Sequence, residues 1–138
     1  MTQEQKELLL KDLCARLPYG VKFQSENIET AFFVDTSDNE VWINGTCIDD
    51  FKPYLFPLSS MTEEQAKEMQ EIVGSPKVAC IMRKTGGLEL WLDSIDTDPT
   101  IWLDIIFEVQ DWLNKNHFDY RGLIERKLAI DATGKNIY

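Results

Sequence analysis

Histidine is almost absent from this chain: His117 is the only one in 138 residues. A zinc site of the usual kind draws four ligands from cysteine and histidine, and Cys14, Cys47 and Cys80 are too scattered to supply them. The cysteines are odd in number and form no CxxC, so the expectation is reduced thiols in a cytoplasmic protein. Basic side chains are scarce as well. Fourteen lysines and arginines stand against 24 aspartates and glutamates, a net charge of −10. Binding to nucleic acid draws its affinity from neutralised phosphates, so a direct nucleic-acid partner is not expected. No apolar run approaches the roughly 20 residues of a membrane span, and MTQEQKE at the start is polar rather than a signal peptide's apolar core.

Glycine motifs are missing too. Neither GxGxxG nor GxxxxGK[ST] occurs, and Gly86-Gly87 joins two strand-like runs instead of opening a helix. Asp93, Asp96 and Asp98 crowd together, but a calcium loop needs glycine at its sixth position and glutamate at its twelfth. Counted from Asp96 these are Ile101 and Phe107. The expectation is no metal and no cofactor.

What the chain does have is core material, with 43% hydrophobic and 11% aromatic residues. The longest periodic segment runs from Asp98 to Ile124. Asp98 reads as an N-cap before Pro99, and Trp102, Ile105, Ile106, Val109, Trp112 and Leu113 recur at helical spacing. Asp104, Glu108, Asp111 and Lys115 mark the opposite face, with Asn114 and Asn116 as the residues that stop the helix.

In chain order, residues 3–17 form a helix with an apolar stripe of Leu9, Leu10, Leu13, Cys14 and Leu17, ended by Pro18 and Gly20. Cys14 is read there as a small core residue. The period then falls to two. Val21–Gln24, Ile28–Asp35 and Glu40–Asn44 are strands, and Asn44-Gly45 is a tight hairpin turn that folds Thr46–Ile48 back on Val41–Ile43. In DDFKPYLFPLSS two prolines forbid a helix and disfavour a central strand, so Asp49–Ser60 is an extended connector. Thr62 with Gln65 makes a capping box for a second helix to about Val73. Val78–Arg83 and Leu88–Leu92 flank a Thr85-Gly86-Gly87 turn. Leu123–Ile130 is a short helix and Asp131–Tyr138 a tail. The pattern predicts an α+β fold: a single domain with an antiparallel sheet of about six strands in two hairpin groups, and three to four helices packed on it.

The densest polar cluster is His117, Asp119, Tyr120 and Arg121. A general base oriented by a carboxylate is one reading of it, and a helix end with its capping groups is the other. Lys52, Tyr54 and Phe56 in the connector mix aromatic and polar groups in the same way. These seven residues are the candidate binding set. An irregular backbone needs side-chain partners when buried, so the two stretches are expected to lock together, with Asp119 and Arg121 bonding loop amides and carbonyls. Trp42 and Trp91 alternate with Val41/Ile43 and Leu90/Leu92, and are candidates for a contact surface if one sheet face is open.

At KDLCARLPYGVKFQ, KPYLFPLSSMTEEQ and DWLNKNHFDYRGLIERKLAIDATGKNIY the chain resembles uncharacterised small proteins of Bacteroides-type gut bacteria and their phages and prophages. It departs from them at Phe56, where KPYLRP has a basic residue. The resemblance implies a mobile-element protein in the bacterial cytoplasm and carries no activity with it. The leading expectation is therefore a non-enzymatic accessory or interaction protein with an unknown protein partner. The alternatives are an acidic nucleic-acid mimic that occupies a host protein, and a small hydrolase using His117. Rows of carboxylates at phosphate spacing would favour the mimic, a concave pocket around His117 the enzyme, and an exposed apolar patch the interaction protein.

Overall fold

The computed structural model describes residues 1–73, 78–82, 88–92 and 99–138, with side chains described for 1–72 and 105–138. In chain order the elements are α1 (Gln3–Arg16), β1 (Lys22–Gln24), β2 (Ile28–Thr30), β3 (Val34–Ser37), β4 (Glu40–Ile43), β5 (Thr46–Cys47), β6 (Lys52–Pro57), α2 (Glu63–Val73), β7 (Val78–Met82), β8 (Leu88–Leu92), α3 (Pro99–Lys115), β9 (Phe118–Asp119) and β10 (Ile130–Asp131). Helices and antiparallel hairpins make this an α+β chain. Its residues gather into two compact units, Met1–Phe56 with Arg121–Tyr138 and Pro57–Tyr120. Among the described residues no helix is long and apolar enough to cross a membrane.

The first unit is built on α1. Thr2 and Gln5 form a capping box: the Thr2 hydroxyl accepts the Gln5 N–H at 3.2 Å, and the Gln5 carboxamide accepts the Thr2 N–H at 2.9 Å. The buried stripe of α1 is Leu9, Asp12, Leu13 and Arg16, which keeps helical spacing but sits to one side of the expected apolar stripe. Leu10 and Leu17 are half-buried, and Cys14 is exposed rather than in the core. The shift has a charged cause. Arg16 grips the Asp12 carboxylate with Nε at 2.8 Å and Nη2 at 3.1 Å, and Arg121 Nε lies 3.2 Å from the same carboxylate. Around this group lies an apolar cluster that includes Val21, Phe23, Ile43, Phe51, Leu55 and Leu123, with the Phe23 and Phe51 rings 4.9 Å apart.

The strands divide among separate sheets instead of forming one. In the first unit β10, β6, β1 and β2 lie in that order, and β3, β4 and β5 form a second sheet. The connector is thus a strand inside a sheet, β6 between β1 and β10, despite its prolines. Its register explains why. Ser25 N–H bonds Asn27 C=O at 2.9 Å and Ala31 N–H bonds Val21 C=O at 2.8 Å, so alternation directs the backbone groups of Phe23 toward β2. Phe23 faces Pro53 as a non-bonded pair, and the missing proline N–H costs β6 nothing on the β1 side.

The expected helix over Leu123–Ile130 is a series of turns with Lys127 at φ 61°, followed by β10, which pairs parallel with β6. The expected tail is anchored: Ala132 and Ile137 are buried against Tyr54, and Ala132 N–H bonds Leu55 C=O at 2.8 Å.

In the second unit α2 packs on α3, and the Trp112 indole N–H donates to Glu68 at 3.1 Å. The capping box at Thr62 and Gln65 is formed, with bonds of 2.9 and 3.2 Å. Among the described side chains of α3, Ile105, Val109, Trp112, Leu113 and Asn114 are buried, and Ile106 is half-buried. The residue that turns left-handed at the helix end is His117, at φ 62°, not Asn114 or Asn116. β7 and β8 pair antiparallel from Val78↔Leu92 to Met82↔Leu88. The Asp98 cap, the acidic group at 93–98 and the Thr85-Gly86-Gly87 turn lie outside the described residues, as do the side chains of Cys80, Trp91 and Trp102.

Removing the central carboxylate leaves Arg16 buried with its charge uncompensated, so Asp12→Ala should lower the unfolding free energy in a denaturant melt by about 3–5 kcal/mol. A loss below about 1 kcal/mol would show the cluster to be solvated. Native thiol titration should show fast reaction at the exposed Cys14, a contribution that Cys14→Ala removes.

Candidate functional site

The site is assembled by one asparagine. Asn44 and Gly45 sit at φ 50° and 84°, the two positive values of a tight hairpin turn between β4 and β5. The Asn44 backbone N–H donates to Phe33 C=O at 2.9 Å. Its carboxamide does more: Oδ1 accepts the N–H groups of both Phe32 and Phe33 at 3.1 Å, and Nδ2 donates to Thr30 C=O at 2.8 Å. The run expected as one strand from Ile28 to Asp35 is therefore broken at Ala31–Phe33. β2 stays with β1 and β3 leaves with β4, because the amides at the break are claimed by a side chain.

This clamp presents Phe32 and Phe33 to solvent, 79% and 54% exposed, with Ile28 at 49% on β2. Full burial of such a side chain is worth about 1.5–3 kcal/mol, so leaving these outside gives up a substantial stabilisation. Single exposed hydrophobics are ordinary, whereas an adjacent pair of exposed phenylalanines on a pinned backbone, with a third large apolar residue four positions earlier, is an apolar patch in sequence that the core does not claim. Its surroundings are acidic. Between Glu26 and Asp38 there are four carboxylates, Glu26, Glu29, Asp35 and Asp38, and no lysine or arginine.

A second polar group lies where α1 meets β4 and β5. Ligand atoms of Glu40, Cys47 and Asp49 fall within 4.8 Å of one another. The Lys6 ammonium already answers their charge, at 3.3 Å from Glu40 and 3.4 Å from Asp49. Burial pulls the Lys6 pKa down, and the two carboxylates more than offset this and hold it above the ordinary lysine value. The adjoining cleft, between Gln3, Lys6, Leu10, Glu40 and Ile48, has a volume of about 80 Å³. Small-molecule sites usually run to about 300–1,000 Å³.

The seven residues singled out from the sequence fall in different environments. Lys52 is exposed on β6. Tyr54 is buried, with its hydroxyl bonded to Gln24 and its carbonyl accepting the Tyr138 hydroxyl at 2.7 Å. Phe56 packs on the Tyr138 ring at 5.9 Å. Arg121 reaches Asp12 on α1, with Nε 3.2 Å from its carboxylate. In the second unit His117 and Asp119 are buried. The His117 N–H donates to Asn114 C=O at 3.1 Å, and the Tyr120 hydroxyl donates to the Asn114 side chain at 2.9 Å and accepts from Gln110 at 3.2 Å. Trp42 is half-buried, its indole N–H donating to Ser37 C=O at 3.3 Å.

Sequence reasoning passed over the Phe32-Phe33 pair, though a signal was there. Adjacent residues of a strand point to opposite faces, so two neighbouring aromatics cannot both face one core. The clamping role of Asn44 has no such signal, because its partners lie 11, 12 and 14 residues away. No family model, curated protein or solved structure matches the chain.

Tyr138 ties the last residues to this unit. Its hydroxyl also accepts the Lys22 N–H at 2.9 Å, while Lys22 Nζ donates to Ile137 C=O at 2.9 Å. Burial pushes the Tyr138 pKa up to about 12, against the pull of the Lys22 amide and Arg16. A folded pKa above the unfolded value of about 10 gives stability that is whole below pH 10 and lost as pH rises toward 12. Unfolding free energy should therefore decline across that window, and Tyr138→Phe should flatten the decline.

Proposed function

We propose that the chain is a non-enzymatic interaction protein that offers Phe32 and Phe33 to a protein partner, in the phage or prophage setting implied by the resemblance. The observation that carries this reading is the pair's exposure on a backbone fastened by three side-chain hydrogen bonds from Asn44. A mobile loop exposing aromatics would collapse them onto the nearest apolar surface. A clamped one keeps them available, and pre-ordering the surface lowers the entropy lost on binding. Aromatic anchors flanked by polar groups are the usual source of interface affinity. The exposed apolar patch also favours this reading over the acidic mimic, whose surface would be dominated by ordered carboxylates.

The double substitution Phe32→Ser/Phe33→Ser tests it. Neither side chain contributes to the core, so stability should stay within about 0.5 kcal/mol of the parent. In parallel captures from the native bacterial host, a protein retained by the parent chain should be lost by the folded variant. An unchanged capture profile would overturn the reading, as would a stability loss above about 2 kcal/mol, which would make the pair core.

A further inference from the structure

We infer that the partner of this surface, accepting the interaction role proposed above, is a basic extended segment that adds as a strand to the outer edge of β3. β3 pairs with β4 through Val34↔Ile43, Asp35↔Trp42, Thr36↔Val41 and Ser37↔Glu40, and among the described residues no strand covers its other side. The Asn44 N–H to Phe33 C=O bond marks Phe33–Asn44 as a hydrogen-bonded pair. Alternation makes Asp35–Trp42 and Ser37–Glu40 the next bonded pairs, which turns the N–H and C=O groups of Val34 and Thr36 outward. Along β2 the same alternation turns Ile28 and Thr30 outward, but there Asn44 already occupies the Thr30 carbonyl. The clamp takes one acceptor of the β2 edge and leaves the β3 edge untouched.

Proteins protect an edge by keeping it short or by placing charges, proline or a bulge on it; Val34–Ser37 is short and carries Asp35, but has no lysine or proline to repel a basic strand or block its hydrogen bonds. Side chains of an added strand would alternate between the Val34/Thr36 face and the Asp35/Ser37 face. The first carries Val34, which packs against the apolar cluster, and suits apolar side chains; the second carries the exposed Asp35 and suits cations. Exposed Asp38 follows β3 directly and extends the same preference. A second copy of this chain is disfavoured by the same charges, because it would set carboxylate against carboxylate. Strand addition supplies backbone hydrogen bonds for affinity and alternate side chains for selection.

The probe is a fluorescent peptide of about ten residues alternating leucine and lysine, with its counterparts a leucine–glutamate peptide and a leucine–lysine peptide methylated on alternate backbone nitrogens. Anisotropy titration at about 0.15 M salt should show binding of the leucine–lysine peptide alone, with the methylated form weakened at least about tenfold. Thr36→Pro, which deletes an outward N–H where an edge strand tolerates proline, should weaken binding by a similar factor; if that variant does not fold, the methylated peptide decides. Equal affinity for the methylated peptide overturns strand addition. No binding of the leucine–lysine peptide, or equal binding of the glutamate peptide, overturns the basic partner. A concentration-dependent dimer in light scattering that Phe32→Ser/Phe33→Ser abolishes overturns it in favour of a second copy. None of these results touches the interaction role itself, which stands or falls on the capture comparison.

Discussion

The Asp12 carboxylate is the constraint on which the first unit depends. It lies almost wholly inside an apolar cluster, held by Arg16 from one turn further along the same helix and by Arg121 from more than a hundred residues away. An ion group buried to this degree adds little net stability over apolar residues of the same volume, because desolvation offsets most of the attraction. Its consequence is selectivity of placement. One rotation of α1 is compatible with Asp12 and Arg16 inside, and one position of the chain after residue 120 brings Arg121 to them.

That return of the chain determines the remainder of the sheet. With Arg121 placed, the turns to Leu128 deliver Ile130–Asp131 alongside β6, and β6 becomes an inner strand. The last residues then close over Tyr54, where Tyr138 donates to one strand and accepts from another. Residues that are irregular in isolation are therefore among the most connected in the fold, and several carry the aromatic and polar side chains that draw the eye to a binding role. Tyr54, Phe56 and Arg121 have their chemistry turned inward.

The β2–β3 segment is the opposite case. Its polar backbone is satisfied by a side chain from a neighbouring hairpin, and its large apolar side chains are left outside. Because Asn44 serves both the hairpin turn and the clamp, the geometry of one tight turn sets the position of the aromatic pair.

Composition and period by themselves determined the α+β class, the three described helices, the Asn44-Gly45 hairpin and the capping box at Thr62, all of which depend on residues close in sequence. Period also indicated the apolar face of α3, since Val109, Trp112 and Leu113 recur where a helix needs them. What no local pattern carried was pairing across distance. Cys14, expected in the core, is exposed and Asp12 is buried, because an arginine 109 residues after Asp12 joins the ion group. The connector becomes a strand because Pro53 falls where β1 makes no demand on its nitrogen. The run from Ile28 splits because Asn44 takes its amides. Each of these outcomes was decided by a hydrogen-bond or charge partner remote in sequence, and burial makes such partners obligatory wherever the chain happens to bring them together.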